Sequence, residues 1–138
     1  DVRTSTDVPI AGGDRAVTRH EAFELLEARA LDVLQPDLAL CGGLTEALRI
    51  TALASAFNVR VAPHVWGGCV LYAASLAFAA ATPNVFILEH CMAANPLLTE
   101  LAANPFAVKD GSVEVRDAPG LGVDLDEAFI QRYAVPRP

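Results

Sequence analysis

The sequence predicts an α/β fold made of consecutive parallel strand-helix units, and three observations predict it. Short apolar runs alternate with longer stretches of helical periodicity, the connections between them are short, and each apolar run gives way to one ionisable side chain at a regular interval.

The first run, Val8-Pro9-Ile10-Ala11, reads as a strand. The helical pattern that follows over residues 19–30 has a defined start, since Thr18 can cap it and Glu21 completes a capping box. Its apolar face is Ala22, Leu25, Leu26 and Ala30. A second strand is expected over residues 32–36. After Gly42-Gly43, with Thr45 nearby, a helix is expected over 44–57 with Leu44, Ala47, Leu48, Leu53 and Ala54 on its core side. The third strand, residues 59–63, leads to a helix over roughly 68–81 that is rich in Ala and apolar nearly all round, as suits a helix wedged between a barrel and a neighbouring chain. Val85-Phe86-Ile87-Leu88 is the fourth strand. Beyond Glu89 the periodicity dissolves: Asp110-Gly111 between Ala107-Val108 and residues 113–115 reads as a hairpin, and Pro119-Gly120-Leu121-Gly122 as a further turn.

Composition narrows the function classes. With 138 residues, 53% hydrophobic and 20% charged, the chain can bury a core and is not a disordered tail. A net charge of -7 and ten scattered Lys and Arg argue against a nucleic-acid partner, because phosphate neutralisation needs clustered cations. The longest apolar stretch, residues 70–81, is interrupted by Tyr72 and Ser75 and is shorter than the roughly 20 residues a bilayer crossing takes, so no membrane association is expected. The N-terminus lacks the basic start and apolar core of a secretory signal, which makes a cytoplasmic location the expectation. Cys41, Cys69 and Cys91 agree, being odd in number, widely spaced and outside any C-x-x-C pair. The first residue is not Met, and the sequence reads as a piece of something longer.

The ionisable residues that follow the four runs are Asp14, Asp37, His64 and Glu89, spaced 23, 27 and 25 residues apart, one strand-helix unit each time. In a (β/α) barrel the C-terminal strand ends converge on one mouth, so four such groups meet in a single pocket. Charged residues also end strands for no chemical reason. Four in regular succession, with one His preceded by Pro among three carboxylates, weigh against that blander reading. Gly42-Gly43 and Gly67-Gly68 stand at helix starts, where backbone amides can approach an anion, although a tight turn explains them as well. Trp66 suits both pocket lining and packing. A serine hydrolase is excluded, since Ser55 and Ser75 lie inside helical patterns and no G-x-S-x-G elbow is present.

The stretches Pro9-Ile10-Ala11-Gly12-Gly13-Asp14, Gln35-Pro36-Asp37, Cys41-Gly42-Gly43-Leu44-Thr45-Glu46-Ala47, Ala62-Pro63-His64-Val65-Trp66-Gly67-Gly68 and Ile87-Leu88-Glu89 resemble, in order, the second half of the mandelate racemase/muconate lactonizing family of the enolase superfamily. The likeness covers essentially the whole chain. It implies the C-terminal half of a modified TIM barrel, (β/α)7β, with the last four strand-helix units in residues 1–94 and a segment, 95–138, returning toward a capping domain. It implies that Asp14 is a Mg²⁺ ligand, where the family usually has the longer Glu, that Asp37 and His64 form a catalytic dyad, and that Glu89 faces the substrate, with Trp66 as a substrate-binding candidate.

Those residue types suit the implied chemistry. A proton next to a carboxylate is weakly acidic, and its removal needs a cation to stabilise the added negative charge; hard oxygen donors such as Asp14 suit Mg²⁺. Imidazole ionises near neutrality, which makes His64 the candidate base, with Asp37 holding its far ring nitrogen. The expected activity is dehydration of a small carboxylate such as a sugar acid by a homo-oligomeric protein. A racemase, epimerase or cycloisomerase is the alternative enzyme. A truncated, catalytically inactive half-barrel is the alternative of another kind, because a barrel takes about 250 residues.

Overall fold

The computed structural model describes residues 2–135; Asp1 and the last three residues of the expected return segment lie outside the described residues. After a 3-10 turn at Arg3–Ser5, the chain runs β1 (Ala11–Gly12), α1 (Arg19–Glu27), β2 (Val33–Leu34), α2 (Leu44–Ala56), β3 (Arg60–Val61), α3 (Cys69–Ala81), α4 (Pro96–Thr99), β4 (Val108–Lys109), β5 (Ser112–Val113) and α5 (Glu127–Tyr133).

The first three strands form one parallel sheet in the order β1-β2-β3, with Ala11 opposite Val33, Leu34 opposite Val61, and a further parallel bridge from Asp37 to His64. β1 starts at Ala11 instead of Val8 for a local reason. Pro9 has no N–H to give a ladder, and the Ile10 N–H donates to the Asp32 carboxylate at 2.9 Å. The expected fourth strand is reduced to one parallel bridge, Val61 to Val85, with the Phe86 N–H donating to the Val61 carbonyl at 3.3 Å. Phe86 and Ile87 are 50% and 57% exposed, so this run meets the sheet along one side only, and no second neighbour extends its ladder among the described residues. The Arg60 guanidinium lies over the Phe86 ring at 4.1 Å.

The helices follow from their ends. Thr18 and Glu21 make the expected capping box at the start of α1. α1 stops at Glu27, short of the expected residue 30, because Arg29 adopts φ +50° and the Arg29 and Ala30 N–H groups turn back to the Leu26 and Leu25 carbonyls, a Schellman closure. Asn58, at φ +56°, closes α2 in the same way. α2 buries Ala47, Ile50, Thr51 and Ala54, a stripe at i, i+3, i+4, i+7. Leu44 and Leu48, expected on the core side, are 41% and 50% exposed instead. Thr51 joins the core because its hydroxyl donates to the Ala47 carbonyl at 2.7 Å.

The core between sheet and helices is formed by Ala22, Leu26, Leu34, Ala47, Ile50, Ala54, Val61 and Phe78. A second cluster of Val65, Tyr72, Cys91 and Leu98, joined by Phe106 and Val113, fastens the irregular C-terminal segment against α3. In that segment β4 and β5 form the expected hairpin, with Asp110 and Gly111 both at positive φ in its two-residue turn.

Candidate active site

Parallel pairing of β2 with β3 carries the two chains past their last strand residues together, and it brings Asp37 and His64 to the same rim. Asp37 is 5% exposed. Its Oδ1 accepts the Ala39 N–H at 2.7 Å, an Asx-turn across the tight loop after β2, and its Oδ2 meets His64 Nδ1 at 2.8 Å. An N–H on Nδ1 donates to that carboxylate, which leaves the Nε2 lone pair of the neutral ring free to take a proton. The His64 backbone N–H donates to the Pro36 carbonyl at 3.2 Å, so backbone and ring are both held.

Nε2 has no hydrogen-bond partner among the described residues; Glu89 Oε2 lies 3.9 Å away. That same oxygen accepts the Val65 N–H at 2.8 Å. A cavity of about 850 Å³ opens in front of the dyad, with Asp14, Asp37, His64, Trp66, Gly67 and Gly68 among its walls. Glu89 is not among those walls and stands on the Nε2 side of the His64 ring. Trp66, for which lining and packing were both open, is 63% exposed at this cavity and is not packed in a core. Asp14 reaches the rim because Gly13 turns the chain at φ +97°, where a Cβ would come within 2.7 Å of Leu34 Cδ1. Gly43 and Gly68 are the residues before α2 and α3, and neither helix start has a side-chain cap.

The Asp14 carboxylate makes no hydrogen bond or ion pair among the described residues and stands open to the cavity, as a hard cation's ligand must. Among the described residues no group of three His, Cys, Asp or Glu comes together to hold a metal ion. The donor set therefore fits one ligand of a hydrated cation and falls short of a whole site. The cysteines offer no alternative centre: all three are buried and free, and burial pushes the Cys41 and Cys69 thiols up, away from the reactive thiolate.

Reading strand exits finds the ionisable groups and misses what holds them. The Ala39 and Val65 N–H donors carry no side-chain signal, although an Asx-turn two residues after Asp37 is a pattern that could have found the first. Arg15, Leu40 and Leu71 also line the cavity and belong to no motif.

The chain has relatives among known proteins. The chain is 37% identical to the D-galactarolactone cycloisomerase of Agrobacterium fabrum over 99% of its length and 38% of that protein's. It is 38% identical to the D-galactonate dehydratase of Ralstonia nicotianae over 91% of its length and 34% of that protein's. An enolase from Agrobacterium radiobacter, solved with bound Na and L-malate, superposes with a TM-score of 0.87 at 33% identity, over 96% of this chain and 37% of that one. The chain thus spans about a third of the length of the curated relatives it matches. No helix among the described residues is long and apolar enough to cross a membrane. The family model for the enolase C-terminal domain-like fold matches residues 1–129, and the chain belongs to that family, as part of the α/β barrel of an enolase-superfamily protein of the mandelate racemase/muconate lactonizing type.

Proposed function

We propose that this chain is the dyad-bearing half of an enzyme that abstracts the proton α to the carboxylate of a sugar acid and expels the β-hydroxyl as water. The observation that carries the reading is the 2.8 Å contact between Asp37 and His64 Nδ1, with the other carboxylate oxygen tied to Ala39. It leaves Nε2 as the one ring atom able to receive a proton. His64 takes the α-proton, the C–H electron pair enters the enediolate, and its return breaks the bond to the β-oxygen, which leaves with the proton from His64. Asp37 stabilises the imidazolium between those steps. Glu89 is the group that faces the substrate carboxylate, and Trp66 forms an apolar wall beside it. Asp14 would be one ligand of a Mg²⁺ ion whose other ligands come from the remainder of a longer protein, and the bound ion supplies positive charge for the developing dianion.

Residues 95–138 in this reading return toward a capping domain, and homo-oligomeric assembly draws on the apolar circumference of α3, where Val70 is 45% exposed. A second reading is cycloisomerisation, favoured by the cycloisomerase relative that matches 99% of this chain, and it uses the same proton abstraction.

The test is a panel of sugar acids and their lactones presented to the full-length protein with Mg²⁺ in deuterium oxide. Dehydration gives products lighter by one water and cycloisomerisation gives products of unchanged mass, both with α-deuterium exchange lost in His64→Asn. No exchange with any acid in the panel rejects both readings.

A further inference from the structure

Glu89 stands on a stretch of chain that the sheet does not hold. Beyond the Phe86 N–H, no backbone-to-backbone hydrogen bond reaches residues 87–94 among the described residues. A strand normally fixes its side chains through its ladder; here the Val65 N–H holds one oxygen of the Glu89 carboxylate at 2.8 Å, and the backbone that carries Glu89 needs a tie of its own. Leu88 and Cys91 pack in the apolar cluster around Tyr72, and the residue after Glu89, His90, makes the one side-chain hydrogen bond from this stretch to α3 among the described residues: its Nδ1 lies 2.9 Å from the Tyr72 hydroxyl, and the two rings meet edge to face at 5.4 Å and 81°.

Tyr72 is a firm anchor. It lies in the first turn of α3, whose start at Gly68 lines the cavity, and its N–H donates to the Gly68 carbonyl at 3.0 Å. The side chain is 1% exposed, and burial pushes the phenol up, so it keeps its proton and can donate to Nδ1. Phe106 packs on the ring at 5.1 Å and is covered in turn by the Arg116 guanidinium at 4.1 Å, which donates to the Asn104, Pro105 and Gly122 carbonyls.

We infer that Tyr72 and His90 are positioning residues: their hydrogen bond pins the peptide next to Glu89 to α3 and thereby holds the Glu89 carboxylate beside His64 Nε2 and the substrate. The inference rests on the proposed role of Glu89. It gives the Tyr72 hydroxyl a catalytic consequence with no contact to substrate. A misplacement on the order of 1 Å at a reacting centre costs rate far beyond the strength of the contact that caused it.

The experiment uses the full-length protein that contains this chain. Tyr72→Phe keeps the ring and its packing and removes only the hydroxyl; kcat is expected to fall about tenfold with KM changed less than about twofold. Because the effect runs through Glu89, Tyr72→Phe should lower kcat no further in a Glu89→Gln background. His90→Asn, whose amide can reach the same hydroxyl, should recover most of what His90→Ala loses. The ¹⁵N resonance of His90 Nδ1 should shift in Tyr72→Phe, which reads the bond without turnover.

Full additivity of Tyr72→Phe and Glu89→Gln, or an unchanged kcat in Tyr72→Phe with the resonance shifted, overturns the inference while leaving the role of Glu89 standing. Wild-type kcat in Glu89→Gln overturns that role, and the inference with it. An unshifted resonance removes the hydrogen bond itself.

Discussion

Asp37 has both carboxylate oxygens occupied, one by a backbone N–H and one by His64, so the aspartate cannot turn away from the ring it orients. Two substitutions in the full-length protein separate orientation from proton transfer. His64→Asn keeps a polar side chain of similar bulk that cannot accept the proton; α-deuterium exchange should vanish with substrate binding retained, a loss in kcat more than in KM. Asp37→Asn leaves the base in place but disturbs its tautomer, so exchange should slow without disappearing. Near-normal exchange in His64→Asn would place the base elsewhere and leave the family likeness as a statement about fold alone.

The helices depend on contacts that a change of one side chain can isolate. Thr18 accepts the Glu21 N–H and the Glu21 carboxylate accepts the Thr18 N–H at 2.9 Å, so Thr18→Ala should cost about 1 kcal/mol, read as a lower urea midpoint at constant slope. Between helices, Glu46 in the first turn of α2 takes two guanidinium contacts from Arg19 of α1, at 2.8 and 2.7 Å, and one from Arg49 at 3.2 Å. The Arg19 guanidinium holds the Glu46 carboxyl down from 4.5 to about 2. A carboxyl lowered by folding stabilises the folded state above its ordinary value, and that stabilisation is lost as pH falls toward its folded value. The difference in urea midpoint between the protein and Glu46→Gln should therefore be level above about pH 5.5 and shrink steadily as pH drops toward 2. A difference that stays constant through this range would show that the pair contributes nothing titratable.

At the scale of the molecule, the parallel sheet gathers Asp14, Asp37 and His64 at one rim, with Glu89 beside Nε2 of the imidazole. Asp14 is the one carboxylate there without a protein partner among the described residues. A hydrated Mg²⁺ demands several oxygen ligands in octahedral array, which one carboxylate does not supply. Calorimetry on this chain should accordingly show weak or undetectable Mg²⁺ binding, and a tight stoichiometric site would contradict the assignment of Asp14 as one ligand of a shared centre.

Local chemistry makes some of this protein legible without its tertiary structure. The α1 capping box, the Asp110-Gly111 hairpin and the alternation of strand with helix are short-range preferences of the backbone, and the regular spacing of Asp14, Asp37, His64 and Glu89 follows from the near-constant length of a strand-helix unit. What needed the fold were the relations between units. Leu44 and Leu48 fit the core pattern of α2, yet the rotation of that helix against α1 and the sheet buries Ile50 and Thr51 instead. Residues 85–88 have the composition of a strand, but pairing takes a neighbouring backbone, and only Val85 and Phe86 find one. The 2.8 Å dyad contact, the Val65 amide on Glu89 and the Tyr72-His90 bond join residues 27, 24 and 18 positions apart. Side-chain type and spacing say which groups are present; distance and direction between them are set by how the units pack, because a hydrogen bond is decided over tenths of an ångström that no sequence period resolves.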